Sequence, residues 1–519
     1  MNPVVLLYAE NVISRPKRRP QQRLVFCIEI NDLGFGKTVD ILWAGEDGQW
    51  HILSAHYQHR HREGAEHWRA EATFTLAVDK GLPGNIRFCV RCSADGKEFW
   101  DNNQGQDYQS EADSGVLLGR ESLQLMDYRP VLDHSSAHLL LRVATASHLQ
   151  AERLLIKWSR DDWHSHELIE CQKHVDEWDR YCRSNARNPN QYAVNIWSTS
   201  IDCDNVFRLQ YRIGYQRAGE TIWDDNQRYI CSRPPLRLMI LNLHCYQEQD
   251  QMAKLQRIAR AIEELEVDIV CLQEVAEHWN DGHGDWQSNT ARIINEQLPR
   301  AFHLHCDWSH RGFDRYREGV AILTRHAILD CQSRYVSNSH DMLDIHSRKV
   351  VMTTVDAPCF GKLNVYSAHL SWMEDGFTEQ FRNLQEWAAH NSHDDTAATL
   401  LCGDFNVTVG SGGYRHIVEG ARYDDQFLQA NHEGLFEKIF RNEDPYWQEL
   451  SSAEYRIDYV FMNRDARLKV TRADVLFTEH DYGRVSDHCG YLFIFEPKVK
   501  PINNPDESLN KKEAQDDFC

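Results

Sequence analysis

Apolar and polar positions along the chain fall into two regimes that change near residue 235. Before it, short apolar runs (RLVFCIEI, TVDILW, ATFTLAV, IRFCVRC) are broken by Gly, Asn and Asp turns, which predicts a β-sandwich over 23–118. The polar stretch 109–122, QSEADSGVLLGRES, reads as a connector. A second strand-rich block follows over 123–232, with HLLLRVAT, RLLIKW and NVFRLQYRIGY. From Leu236 apolar strands alternate with helical periodicity, as in MAKLQRIARAIEELE ahead of DIVCLQEV. That change predicts an α/β layer structure over 236–496. Residues 497–519 are polar and read as a tail.

The first two blocks align with each other. CVRCSADGKEFWDNN against RIGYQRAGETIWDDN pairs Gly96 with Gly219, Trp100 with Trp223, Asp101 with Asp224 and Asn103 with Asn226. Upstream, DILWAGEDGQW against LLIKWSRDDW pairs Trp43 with Trp158 and Trp50 with Trp163. A duplicated module is expected. Trp43, Trp158, Trp100 and Trp223 sit inside apolar runs and are assigned to the core. Trp50 and Trp163 follow Asp-rich turns and suit an exposed platform, where aromatic rings stack on sugar faces.

The segment FWDNNQGQDY resembles the family-21 carbohydrate-binding modules, β-sandwiches that bind starch and glycogen. The resemblance covers about 90 residues and implies that Asn103, Asp107 and Tyr108 belong to the glucan-contacting end. The second copy, IWDDNQRYIC, lacks the glycine and the second Asn or Asp, so a structural or partner-binding sandwich is the alternative for it.

Composition narrows the class. A chain of 519 residues exceeds one hydrophobic core, and 42% apolar with 26% charged residues is the balance of a folded globular protein. No apolar run approaches the roughly 18 residues of a membrane-spanning helix, and no membrane partner is expected. The first residues, MNPVVLLYAENVISRPKRRP, have too short an apolar core for a secretory signal. Fifteen scattered cysteines, an odd number, suit reduced thiols and a cytoplasmic location. A formal charge of −21, most of it within 236–496, disfavours a nucleic-acid partner, which usually meets a positive field.

Beyond residue 235, polar residues stand at the ends of apolar strands: Asn242 in LMILNLHCY, Glu274 in DIVCLQEV and His369 in VYSAHLSW. Asp404 and Asn406 follow in LLCGDFNV, Asp458 in YRIDYVFMN, and Asp487 with His488 in GRVSDHCGY. Strand ends are where α/β sheets assemble sites. Attack on a phosphate ester needs a divalent cation, an activated water and a donor for the leaving oxygen. Glu274, Asp487, Asn242 and Asp404 supply the oxygens a hard cation selects, and His488 with Asp458 suits a proton-exchanging dyad. Zinc fits less well, because no H-E-x-x-H is present.

The order N, L-Q-E, H-L, G-D-F-N, R-I-D-Y-V-F, S-D-H resembles the endonuclease/exonuclease/phosphatase superfamily over about 260 residues. The resemblance implies a four-layer α/β sandwich with two central sheets. It also implies one Mg²⁺, with Mn²⁺ as an alternative, held chiefly by Glu274 with Asn242 and Asp487. Asp404 would orient the attacking water, Asn406 would touch the phosphate, and His369 would donate to the phosphate or leaving group. His488 would be braced by Asp458, with the base left open between Asp404 and His488. The P-S-W-x-D-R-I stretch of the inositol 5-phosphatases is absent here, where AEYRIDYVF stands. Glu318 is either a brace for His369 or a solvated strand-edge charge. The stretches 275–290 and 307–318, with Trp279, Trp286, Trp308 and Tyr316, read as loops that would decide the substrate.

The fold class expected is therefore two N-terminal antiparallel β-sandwiches followed by a four-layer α/β sandwich. The function expected is a metal-dependent phosphoesterase brought to an α-glucan, with a nuclease and a noncatalytic glucan-binding scaffold as alternatives.

Overall fold

The computed structural model describes residues 2–498 except 15–18, 32, 35, 61–63, 78–79, 134–135, 175–192, 225–228, 281, 313–314, 421 and 432–455. The polar tail lies outside the described residues, apart from 497–498. The chain divides into two compact units, Met1–Arg233 and Pro234–Val499. Among the described residues no helix is long and apolar enough to cross a membrane.

In the first unit, two antiparallel sheets enclose one core. Strands 115–118, 4–14, 21–30, 66–75 and 56–60 form one sheet, in that order; 50–54, 38–44, 86–94 and 97–101 form the other, with 108–110 beside 86–94. Leu24, Phe26 and Ile28 from the first sheet meet Val39, Ile41, Trp43, Phe88 and Val90 from the second. The connector reading of 109–122 is corrected here. Gly115–Leu118 pairs with Tyr8–Asn11 as an edge strand, and Val116 is buried, because GVLL has an apolar side to contribute. Cys89 and Cys92 have C-x-x-C spacing but point to opposite faces of one strand, and both thiols are free.

The described strands of 123–232 form one continuous antiparallel sheet instead of two separate ones. Strand Glu167–His174 belongs to both halves: Glu167–Cys171 pairs with 154–158, and Gln172–His174 pairs with 196–198. The sheet wraps a core containing Leu141, Val143, Ile156, Trp158, Trp197 and Tyr211. The strands bearing the aligned tryptophans have the same order in both blocks: 38–44, 86–94, 97–101 and 153–159, 208–217, 220–223. Trp43 and Trp158 are buried, as expected. Trp100 is not: it is 37% exposed, because alternation along Lys97–Asp101 turns it outward, where Arg91 lies 5.8 Å from its ring centroid. Trp223 is half-buried against Gly214. A further core joins the two blocks, with Leu7, Tyr8 and Val12 packed on Met126, Ala144, Val194 and Ile196.

The second unit holds two mixed sheets. One orders its strands 303–312, 316–324, 269–280, 236–242, 490–497, 468–476; the other 327–335, 349–357, 361–369, 396–404, 458–463, 423–425. Each has one parallel pair at its centre, 236–242 with 269–280 and 361–369 with 396–404. Helix Gln251–Glu264 buries Leu255, Ile258, Ala259 and Ile262 against the first sheet, and helix Phe377–Asn391 buries Phe377, Phe381, Leu384 and Trp387 against the second. The sheets are tied to each other through Gln273, whose Nε2 donates to Ser367 Oγ at 2.9 Å, while Ser367 Oγ donates to Leu272 O at 3.1 Å. Residues 275–280 and most of 307–318 are strand, not loop, since the pairing of 269–280 with 316–324 continues past a bulge at Glu274.

Candidate active site

The two parallel pairs end side by side, and their terminal residues meet. Asn242 closes Leu236–Asn242, His369 closes Gly361–His369 and Asp404 closes Thr396–Asp404. The Asn242 amide spans the sheets, donating to Glu274 Oε1 at 2.8 Å and to Asp404 Oδ2 at 3.2 Å. Asp404 Oδ2 is also 3.6 Å from His488 Nε2 and 3.9 Å from His369 Nε2. Asp458, registered opposite Asp404 on the neighbouring strand, accepts from His488 Nδ1 at 2.8 Å.

Local backbone makes this convergence attainable. Gly403 has φ 127°, and a Cβ there would lie 2.1 Å from Ala368 O and 2.8 Å from Gln273 Nε2, so only glycine fits ahead of Asp404. Glu274, Asn406 and His244 hold left-handed φ values of 49°, 49° and 48° without being glycine. Strain of this kind persists where surrounding contacts over-determine it. Asn406 N donates to Asp404 Oδ1 at 2.9 Å, and its Nδ2 donates to Leu370 O at 2.8 Å.

Three groups of candidate metal donors lie here: Glu274, Glu318 and His369; Asp404, Asp458 and His488; and His244, Glu248 and Asp487. Asp487 groups with His244 (3.7 Å) and Glu248, and it also lies 3.9 Å from His488 Nε2. Glu318 is buried, not a solvated edge charge. Burial, then the neighbouring Glu274 carboxylate, pushes its pKa up to about 8, with Arg348 partly opposing. Its Oε1 is 4.0 Å from His369 Nδ1, which Arg348 Nη1 approaches to 3.4 Å.

Sequence reading missed His244, Glu248, Arg348 and His310. His244 stands two residues after Asn242 and bonds Glu248 Oε1 at 2.8 Å. Burial opposes its charge, but Asp487, Glu248 and Glu274 outweigh burial and raise its pKa. A histidine so close to a strand-end asparagine was the available signal. Arg348 gave none, because only the packing of the two sheets brings it near Glu318, and His310, although registered opposite Glu318 on the neighbouring strand, breaks no pattern in the sequence. Of the aromatic residues expected to decide the substrate, Trp279 and Trp308 stack on Arg317, Tyr316 is buried, and Trp286 is 48% exposed.

A model of the Endonuclease/Exonuclease/phosphatase family matches residues 239–488, and one of the Carbohydrate/starch-binding module (family 21) matches 7–111. Residues 239–488 belong to the endonuclease/exonuclease/phosphatase family, and 7–111 are a family-21 module. Similar solved structures include an endonuclease/exonuclease/phosphatase family protein from Leptotrichia buccalis, 26% identical with TM-score 0.42, covering 50% of this chain and 99% of that one. Another from Beutenbergia cavernae is 21% identical with TM-score 0.39 and coverages of 51% and 72%. A Bacteroides thetaiotaomicron mannosyl-6-phosphatase is 17% identical with TM-score 0.40 and coverages of 50% and 99%. No curated protein matches the chain.

In the family-21 module, Trp50 is 51% exposed, and Arg87 lies 5.9 Å from its ring centroid. Arg87 Nε donates to Asp107 Oδ2 at 2.7 Å. Asn103 Nδ2 donates to Asp107 O at 3.2 Å. Tyr108 is half-buried, stacked on Phe88, with its hydroxyl bonded to Asp101 at 3.0 Å. In the second block Trp163 is half-buried, with Arg212 5.8 Å from its ring centroid.

Proposed function

We propose that this chain is a Mg²⁺-dependent phosphoesterase brought to an α-glucan by its N-terminal module. The observation that carries the reading is the meeting of Asn242, His369 and His488 on one oxygen, Asp404 Oδ2. We read the helices and sheets of 236–496 as a four-layer sandwich whose paired sheets present this cluster at one rim.

The donor set fits a hard cation. It is made of carboxylates, an amide and imidazoles; burial, and then the neighbouring Glu274 carboxylate, keep Glu318 protonated up to about pH 8, and a divalent ion nearby would offset the cost of ionising it. Glu274 would hold the metal, with Asn242 and Asp487 assisting; Mn²⁺ would serve in its place. Bound there, it supplies neutralisation of the phosphate's non-bridging oxygens.

The chain's own residues do the rest. The Asn406 N–H fixes one oxygen of Asp404, leaving Oδ2 to orient water. One amide hydrogen of Asn406 goes to Leu370 O, and the other would meet a phosphate oxygen. Asp458 accepts from His488 Nδ1 and so sets the tautomer, which leaves Nε2 facing Asp404 for proton exchange. Either Asp404 or His488 takes the proton from water, and His369 Nε2 donates on the leaving side. Exposed Trp50, with Asn103, Asp107, Tyr108 and, in the second block, Trp163, forms the saccharide-contacting set. Free thiols in both units favour a reducing, cytoplasmic compartment.

A panel of phosphomonoesters, phosphodiesters, plasmid DNA and RNA, run with and without EDTA on wild type and His488→Ala, tests the reading. Metal-dependent phosphoester turnover is expected, with co-sedimentation on amylopectin. Nucleic-acid cleavage alone would move the assignment to a nuclease, and no turnover on any phosphoester would overturn it.

A further inference from the structure

Where the two N-terminal blocks meet, side chains of both line a pair of adjoining cavities of about 360 and 620 Å³. They share Arg23, Arg69, Asp127, Tyr128 and Arg129, so they form one cleft. Each volume falls in the range of about 300–1,000 Å³ typical of small-ligand sites. The two blocks share a buried core beside it, so the walls are held together.

We propose that this cleft is a second saccharide site, taking an uncharged glucan oligosaccharide. Three features of its walls point to that chemistry. First, Gln124 lines the smaller cavity and is 4% exposed; its Nε2 donates to Leu125 O at 2.8 Å, but its Oε1 is buried without a donor among the described residues. A buried acceptor left unmade is costly, and a ligand hydroxyl would satisfy it. Second, Tyr128, His59 and His67 form an aromatic cluster, with ring centroids 4.9 Å apart for His59–Tyr128 and 4.7 Å for His59–His67. The Tyr128 hydroxyl is committed to Ile230 O at 2.6 Å, so its ring, not its hydroxyl, serves the cleft. Flat aromatic faces match the apolar faces of pyranose rings.

Third, the charges in the cleft are already balanced. Arg23 pairs with Glu71 at 2.7 Å, while Arg69 and Arg142 grip Asp127 from the two blocks at 2.8 and 3.0 Å. With Glu10 and Asp133 also in the lining, the four arginines Arg23, Arg69, Arg129 and Arg142 meet four carboxylates, so the cleft as a whole carries no excess of positive charge to recruit an anion. Arg129 lines both cavities, and a guanidinium offers N–H donors suited to sugar hydroxyls. Two glucan sites on one chain would hold a polymer by effective concentration, more tightly than either alone. The proposal rests on the glucan reading of the family-21 module given above.

Isothermal titration of the full chain with maltoheptaose tests it. Wild type is expected to bind two molecules. Trp50→Ala should keep the cleft site, while Gln124→Leu and Arg129→Ala should each weaken that site at least about tenfold. Gln124→Leu should melt no lower than wild type, because it removes an unsatisfied acceptor, and turnover of a soluble phosphoester should not change in either cleft variant. Wild-type binding by both cleft variants, or a single site abolished by Trp50→Ala, would overturn the cleft site and leave the glucan reading standing. A wild-type chain that binds no maltoheptaose and does not sediment with amylopectin would overturn both.

Discussion

His488 Nδ1 lies 2.8 Å from Asp458 Oδ2, and the far side of the same ring, Nε2, lies 3.6 Å from Asp404 Oδ2. One carboxylate holds the imidazole and the other faces its working nitrogen. All three side chains are buried. The arrangement separates orientation from chemistry, and the two are separable by substitution.

Asp458→Asn keeps the shape but replaces the acceptor at Nδ1 with a group that favours the wrong tautomer. The expected loss in kcat is about 10²–10⁴-fold, the usual worth of a positioned acid–base group. The melting temperature should stay near wild type. Steady-state kinetics on a soluble phosphoester, with a thermal melt of each variant, checks this. A near-normal kcat would remove the dyad from the mechanism.

Glu274 sits on a bulge with left-handed φ, aimed into a cluster that already holds Glu318 and Asp404. Removing its charge should raise the metal concentration for half-maximal rate by at least about 10–100-fold. Turnover measured against Mg²⁺ and Mn²⁺ for wild type and Glu274→Gln gives the comparison. EDTA should abolish wild-type turnover, and added metal should restore it.

Much of this site was legible because strand ends announce themselves. Asn242, His369 and Asp404 each break an apolar run, and the structure brings those breaks together. Glu274 was legible for a different reason: the bulge that turns its carboxylate inward is invisible in the sequence, but a glutamate after CLQ stood out. Arg348 and Glu318 were less legible, because neither breaks a pattern and their roles come from burial between elements far apart in the chain. The same limit applied to Trp100. An apolar neighbourhood in sequence, KEFWD, said nothing about which way a short edge strand would face. The strand Gly115–Leu118 was hidden by flanking Asp, Ser and Gly, which outweighed four apolar residues in a composition reading.

His310 is buried, with Nε2 3.6 Å from Glu318 and Nδ1 3.3 Å from Ser347 O. Burial, and then Arg348, depresses its pKa from 6.5 to about 4. The unfolded chain therefore binds more protons between those values, so stability from this group is complete above pH 6.5 and is lost as pH falls towards 4. The loss amounts to roughly 3 kcal/mol over that interval. Glu318 runs the other way. With its pKa raised to about 8, it costs stability as pH rises from its unfolded value, near 4.5, towards 8. Metal-free melts of wild type and His310→Asn from pH 4 to 8 isolate the first effect: their difference should shrink as pH falls below 6.5.

Arg456 and Asp425 form an ion pair with both side chains buried, and Asp425 also accepts from Tyr414 Oη at 3.0 Å and from Phe427 N at 3.0 Å. The Arg456 guanidinium lies 4.4 Å from the Tyr459 ring centroid, next to Asp458. Arg456→Met would leave a buried carboxylate unpaired, which costs about 3–5 kcal/mol. Arg456→Met combined with Asp425→Leu should recover most of it. Urea denaturation of the single and double variants reads both values, and a single variant as stable as wild type would remove the pair from the stability of the 405–459 region.

Trp50, Ile52 and Trp100 share the outward face of one sheet of the family-21 module and are 51%, 63% and 37% exposed. Arg87 and Arg91 lie over the two tryptophans, and Asp107 anchors Arg87. Such a face buries little in the free chain, so Trp50→Ala should shift the melting temperature only slightly. The same ring offers a flat surface to a sugar, and losing that stacking should weaken binding at this face by about tenfold, or 1.4 kcal/mol. Sedimentation with amylopectin across a concentration series measures the change. Hydrolysis of a soluble phosphoester should be unaffected, because the substitution lies in the other unit. If both fall together, the module does more than tether, and the separation of glucan binding from phosphoester chemistry does not hold.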